Sequence, residues 1–331
     1  MHDKLPERCD RIAVIGAICL AALAVLAGIR MGYTELDVDE VVYRDTILAI
    51  QDGQGYYPAM REALVAKEGA PPSQIRSIRP PVLYVFLSWF PPATWRYLVG
   101  VVYLATLLLA WRLARPLHAI GGPLAVFLTG MWMVAASPLF FLNTELWGLP
   151  LLLAGALALR NQRWALAALA LAAAAVLREI FVLLLLVGLA VSPRRRPWIV
   201  AGAVVLGLAL VHAELARDIL SAEGKEAPFG KSGLGIGYLL SALSPSAQPG
   251  GWLVGLTGTI LGLLGLRFRW GEDPAARLLL PFVAVMIPLT WFLGRVYWGL
   301  AFGPALACFA PAGLHTVSSY LARTGAKKRP V

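Results

Sequence analysis

The chain has 331 residues, 59% of them hydrophobic and only 15% charged, with a formal net charge of +10. A soluble domain of that length needs far more polar surface, so the composition excludes one and points to a polytopic helical membrane protein, each span needing roughly 20 apolar residues. The basic excess does not mark a nucleic-acid binder, because most Lys and Arg fall in the short turns expected on the inner side and most acids on the outer, the pattern of an inner membrane protein.

The apolar runs and basic clusters predict about ten crossings in one membrane-embedded unit spanning 1–331, with both termini inside and no separate soluble domain. Lys4, Arg8 and Arg11 hold the N-terminus inside, and a first span over about 12–29 is read as a retained helix rather than a cleaved signal. A long external loop covers 30–81, with two short amphipathic helices expected at about 38–51 and 58–67, separated by Gly53 and Gly55. Pro58 suits the first turn of the second. Residues 82–90, bracketed by prolines, are too short to cross and read as a re-entrant or interfacial piece. Spans follow at about 95–113 and 121–140, and a fourth returns to Arg160 and Arg163.

The apolar stretch Trp164 to Val191 has basic residues at both ends, Arg163 and Arg194-Arg195-Arg196. Both ends therefore belong inside, which predicts two short helices meeting near Arg178-Glu179 rather than one tilted helix. Further spans are expected at about 197–212, 251–266, 278–293 and 297–314. A second external loop over 213–250 is helical at 213–222 and Gly-rich in its middle. Cys9, Cys19 and Cys308 have no external partner, so no disulfide is expected.

Few polar residues remain to carry chemistry. Asp37, Asp39 and Glu40 place three carboxylates within four residues at the edge of the bilayer. They suit a helix N-terminus, where acids complement the macrodipole. They also suit a general base that takes a proton from a hydroxyl at the outer leaflet, since partial desolvation raises a carboxylate's proton affinity. Arg178-Glu179, inside apolar sequence, is either a self-satisfied pair at a hairpin apex or a site in which Arg178 neutralises a lipid phosphate. Glu145, in Asn143-Thr144-Glu145-Leu146-Trp147, is a candidate for sugar hydroxyls, with Trp147 either a stacking face or part of an interfacial belt. His212 and Arg295 reach the outer face as candidate phosphate contacts, as does Lys231. No dense His, Asp and Glu cluster shows metal spacing.

Asp39-Glu40-x-x-Tyr43, after a first span and opening an interfacial helix, resembles the Asp-Glu signature of the GT-C glycosyltransferases, polytopic enzymes that use polyprenyl-phosphate sugars. Arg79-Pro80-Pro81-Val82 resembles the basic-Pro-Pro-aliphatic motif that closes the same loop in the protein mannosyltransferase and aminoarabinose transferase branches, and Gly55-Tyr56-Tyr57 between the two motifs is similar as well. The likeness covers roughly residues 12–115 in detail and rests beyond that on span number and loop placement. It implies an all-α GT-C-like fold, with Asp39 as catalytic base, Glu40 beside it and Asp37 the nearest rival. It places Arg79 near the donor phosphate with Arg178, Arg295 and His212, and Tyr43, Tyr57 and Glu145 as sugar or acceptor contacts. Some branches carry an acid directly before the basic-Pro-Pro motif, where this chain has Ile78. No second carboxylate is expected there, no cofactor is assigned, and a divalent metal stays open.

The expected function is an inverting glycosyltransferase on the outer face of the cytoplasmic membrane. It moves a sugar from a polyprenyl-phosphate monosaccharide to a hydroxyl of a glycolipid, glycan or protein, with membrane lipid and no nucleic acid as its other partner. The rival readings are a transporter or flippase of a lipid-linked sugar, a polymerase or ligase using lipid diphosphate-linked oligosaccharide, and a scaffold without chemistry.

Overall fold

Long runs of Leu, Ala and Val leave helix as the conformation that satisfies every backbone group without water. The computed structural model describes residues 4–31, 38–68, 78–136, 142–217, 219–220, 249–293 and 298–326, and every element among them is helical. In chain order these are α1 (Lys4–Met31), α2 (Val38–Gln51), α3 (Tyr56–Glu68), α4 (Val82–Ser88), α5 (Pro92–Ala114), α6 (Gly121–Ala136) and α7 (Thr144–Arg160). They continue with α8 (Trp164–Leu177), α9 (Val182–Val191), α10 (Arg196–Arg217), α11 (Pro249–Arg269), α12 (Pro274–Leu293) and α13 (Trp298–Ala326).

Among the described residues three stretches are long and apolar enough to cross a membrane: Cys9–Leu26 in α1, Pro92–Leu117 through α5, and Arg196–Arg217, which is α10. The chain therefore reads as a membrane protein; shorter apolar helices accompany these three among the described residues. Those shorter stretches are Gly121–Met133, Trp164–Leu177, Glu179–Val191 and Pro274–Thr290. The flanks of α1 and α10 keep Ile12, Ile15, Leu26, Ile199, Leu206 and Leu210 exposed, a surface that suits lipid.

Several boundaries differ from the sequence reading. α3 opens at Tyr56, so Pro58 falls inside its first turn, where its missing N–H has no helical partner to lose. The helix expected at 213–222 is the last turn of α10, continuous to Arg217. α13 runs to Ala326, well past the expected 314.

Two large apolar cores and a small one around Leu128 and Ala310 lie among the described residues. One large core joins α1 through α7 and the end of α10 around Ile47, Met60, Tyr84 and Trp95, and so ties the first loop to the helices packed against it. The other joins α7 through α13 around Phe181, Trp198, Phe282 and Phe309. α11 and α13 meet backbone to backbone: a Cβ at Gly265 would strike the carbonyl oxygen of Phe309, and one at Gly313 that of Leu261. Small residues permit that approach, which dispersion rather than hydrophobic exclusion rewards in lipid.

Charged staples close one end of the helices. Asp10 of α1 pairs with Arg115 at 2.7 Å and accepts from the Trp111 indole at 3.0 Å. Arg160, ending α7, pairs with Asp273 at 2.5 Å, donates to the Leu113 carbonyl and lies 5.6 Å from the Phe309 ring. Asp273 also caps α12 by accepting from the Ala275 N–H at 2.9 Å. Trp164, opening α8, and Val191, closing α9, line one hollow at this end. The stretch from 164 to 191 is thus a returning pair of short helices, broken at Arg178.

Candidate active site

The opposite end gathers the first loop, the α8–α9 apex and the end of α10. α2 turns into α3 through Gly53, whose φ of +92° few other residues tolerate. The fold-back brings three phenols together, with Tyr84 ring-centred 5.1 Å from Tyr43 and 5.9 Å from Tyr56. These rings fix Arg79. The Tyr43 hydroxyl accepts from Arg79 Nε at 3.1 Å, and the Tyr56 hydroxyl donates to the Arg79 carbonyl. Pro80 and Pro81 restrict the backbone that follows. Burial pushes the Tyr56 and Tyr84 phenols well above their ordinary range, so both stay neutral.

The α8–α9 break forms the facing wall. Arg178 is in extended backbone, followed by a 3-10 turn over Glu179–Phe181. Its side chain is buried, with Nε 2.7 Å from Glu145 Oε1 and Nη1 3.2 Å from Glu179 Oε1. Glu145 is set at the first turn of α7, where Asn143 Oδ1 caps its N–H and Thr144 donates to Oε2 at 3.3 Å. The same Glu179 Oε1 lies 3.6 Å from Arg79 Nη1. One half-exposed carboxylate oxygen therefore bridges the guanidinium of the first loop and that of the apex.

Beside this bridge opens a cavity of about 670 Å³. Its walls are almost wholly apolar, with Val176 from α8, Val182 from α9, and Val205, Leu208, Val211 and Leu215 from α10. Leu208, Val211 and Leu215 also stay exposed on the outer flank of α10, so this wall borders the lipid-suited surface. The polar rim is Tyr57, Glu179 and His212. His212 Nε2 faces the Ile78 carbonyl at 3.3 Å and Nδ1 the Tyr57 hydroxyl at 3.0 Å. A carbonyl only accepts, which assigns the proton to Nε2 and makes Tyr57 the donor to Nδ1. His212 so ties α10 to α3 and to the residue before Arg79.

Of the expected site residues, Arg79, Arg178, His212, Tyr43 and Tyr57 converge at this end. Glu40 is buried, and its Oε2 accepts from the Leu142 main-chain N–H at 2.8 Å, anchoring α2 to the start of α7. Glu145, expected as a sugar contact, is a buried partner of Arg178. Trp147 is buried too, edge-on to Phe86 at 6.3 Å. Asp39 is in the first turn of α2, one turn before Tyr43. Its side chain lies outside the described residues, as do Asp37, Lys231 and Arg295.

Two features escaped the sequence reading. The sequence marks Glu179 only as the partner of Arg178, although a carboxylate after a helix-ending arginine in apolar sequence is itself a signal. The α10 wall had no polar residue to mark it before His212. Among the described residues no group of three His, Cys, Asp or Glu side chains could hold a metal. No family model, curated protein or solved structure matches the chain.

Proposed function

We propose that the chain is a membrane glycosyltransferase that takes its sugar from a polyprenyl-phosphate monosaccharide. The observation that carries this reading is the division of the cavity: an apolar trough of about 670 Å³ beside lipid-facing α10, with Glu179 and His212 on its rim and Arg79 held 3.6 Å behind the Glu179 carboxylate. A long hydrocarbon with a phosphate at one end matches that division. The tail would lie along Val176, Val205 and Leu208, and the phosphate would meet the guanidinium of Arg79, with Arg178 behind it.

In this reading the Asp39 carboxylate removes the proton of an acceptor hydroxyl as that oxygen attacks the anomeric carbon. The bond from that carbon to the phosphate oxygen breaks, and the polyprenyl phosphate leaves with the bonding pair. Arg79 and Arg178 neutralise the charge that develops on it. The bond energy resides in the lipid, so no nucleotide is needed. The fold would be GT-C-like and the site would face the outer side of the cytoplasmic membrane.

The test uses the purified full chain in lipid with radiolabelled donor. Asp39→Asn should abolish sugar transfer and leave donor binding within about twofold, since a base acts on the acceptor and not on the lipid. Wild-type transfer by Asp39→Asn removes the base assignment. Movement of intact donor across the bilayer without its consumption replaces the transferase reading with that of a flippase.

A further inference from the structure

The second cavity lies at the other, arginine-rich end. It is a hollow of about 250 Å³ where three turns meet, lined by Gln162 and Trp164 between α7 and α8, Val191 and Pro193 between α9 and α10, and Pro274 and Arg277 at the start of α12. By the same measure a single water needs only about 10–15 Å³. The hollow therefore has room for a group much larger than a bridging solvent molecule.

Its polar chemistry is one-signed. Arg277 Nε is buried and has no hydrogen-bond partner among the described residues. A buried guanidinium nitrogen left unpaired is costly, so the group is poised for a ligand that accepts. The neighbouring acids do not serve it: Asp273 is held by Arg160 at 2.5 Å and Glu272 by Arg269 at 2.8 Å. Arg163, Arg194, Arg195 and Arg196 occupy the same two turns, and none makes an ion pair among the described residues. Gln162 adds an amide at a position with φ of +57°, where glycine would sit without strain.

We infer that this hollow binds the phosphodiester headgroup of an anionic membrane phospholipid, with Arg277 as its principal ligand and Gln162 and Trp164 as its walls. A guanidinium recognises phosphate oxygens through paired N–H donors, and Trp164 supplies the amphipathic ring that headgroup-depth sites favour. Basic hollows between membrane helices suit such headgroups because acyl chains remain in the bilayer while the phosphate enters. The site is separate from the cavity beside Glu179, and its occupation stands or falls without reference to sugar transfer.

The experiment is a binding titration on the full-length chain in uncharged detergent, read by thermal stability and by native mass spectrometry. The probes are phosphatidylglycerol, phosphatidylcholine and inorganic phosphate. Phosphatidylglycerol should raise the unfolding temperature and remain bound, whereas the other two should do neither at equal concentration. Arg277→Met should weaken that binding about tenfold, the worth of a lost charge-assisted hydrogen bond. It should fold normally, because the guanidinium has no partner among the described residues to orphan. Arg323→Met, which removes the same charge from the last turn of α13, should bind as wild type. Gln162→Gly provides a second variant that relieves the backbone while removing the amide, and it should bind more weakly although more stable. Equal stabilisation by inorganic phosphate, or equal weakening by Arg277→Met and Arg323→Met, overturns the inference.

Discussion

The pair Arg178–Glu145 allows a quantitative test of how the apex is held. Its nitrogen and oxygen are 2.7 Å apart, and the two side chains are 3% and 1% exposed. At an effective dielectric of about 20, two unit charges at that separation attract by about 6 kcal/mol before desolvation. The second partner of Arg178 cannot replace this. Glu179 is 3.2 Å away but 57% exposed, and pairs so open to solvent contribute about 1 kcal/mol or less. Glu145→Gln should therefore leave Arg178 underpaired and cost about 3–5 kcal/mol, the usual penalty for an orphaned buried charge. Arg178→Met should cost a similar amount by stranding Glu145. The double change Glu145→Leu with Arg178→Met removes both charges and should recover most of the loss, because apolar groups pack where desolvated ions stood. Reversible denaturant unfolding in mixed micelles measures all four corners of the cycle. Single substitutions that cost under 1 kcal/mol, or a double variant as unstable as the sum of the singles, would show that the apex does not depend on this pair.

Two further predictions follow from the same end of the molecule. Glu179 Oε1 holds the guanidiniums of Arg79 and Arg178, where the donor phosphate is proposed to sit, so Glu179→Gln should tighten binding of a short-chain polyprenyl phosphate about fivefold, a like-charge repulsion discounted for exposure; unchanged or weaker binding in a lipid titration separates the phosphate from those guanidiniums. Tyr84 keeps its proton above pH 10 in the folded chain but loses it near pH 10 when unfolded. Between those two points the folded state binds more protons, so stability is full below about pH 10 and falls as pH rises beyond it. Tyr84→Phe should flatten that fall, and it should not destabilise at neutral pH because the buried hydroxyl has no hydrogen-bond partner among the described residues. Melting curves of both chains at pH 8 and pH 10.5 check each part; a loss above 1 kcal/mol at pH 8 contradicts the second.

Much of the architecture was legible because membrane helices announce themselves. Continuous apolar runs punctuated by arginines placed nearly every helix within a few residues, and the matching basic ends of 164–191 gave the returning pair broken at Arg178. The first-loop helices were legible from Gly53 and Gly55. Hydropathy does not by itself fix the number of spans, because it counts apolar residues without saying whether lipid or protein covers them. α9 has only 10 residues, shares in the core around Phe181 and Leu184, and is too short to cross a membrane alone. The site was legible in part: Arg79 and Arg178 emerged as a pair of cations, though not the fact that one carboxylate would hold both.

What the residue list could not convey is who neutralises whom. Glu40 and Glu145 each suggest availability to a substrate, being acids near the expected outer side, whereas Glu179 suggests only a partner for Arg178. In the fold, Glu40 is bound to the Leu142 amide and Glu145 is buried on Arg178, while Glu179 alone is half exposed at the cavity rim. A carboxylate that bridges two cations there does two things at once. It keeps the guanidiniums in place before any ligand arrives, and it competes with a phosphate for them. Binding energy from the apolar tail can offset that competition, since each buried methylene contributes about 0.8 kcal/mol. On this argument the competition from Glu179 is a fixed penalty that hydrocarbon length offsets, so affinity rises by the same factor per prenyl unit in the native chain and in Glu179→Gln, and the variant binds a ligand of every length more tightly.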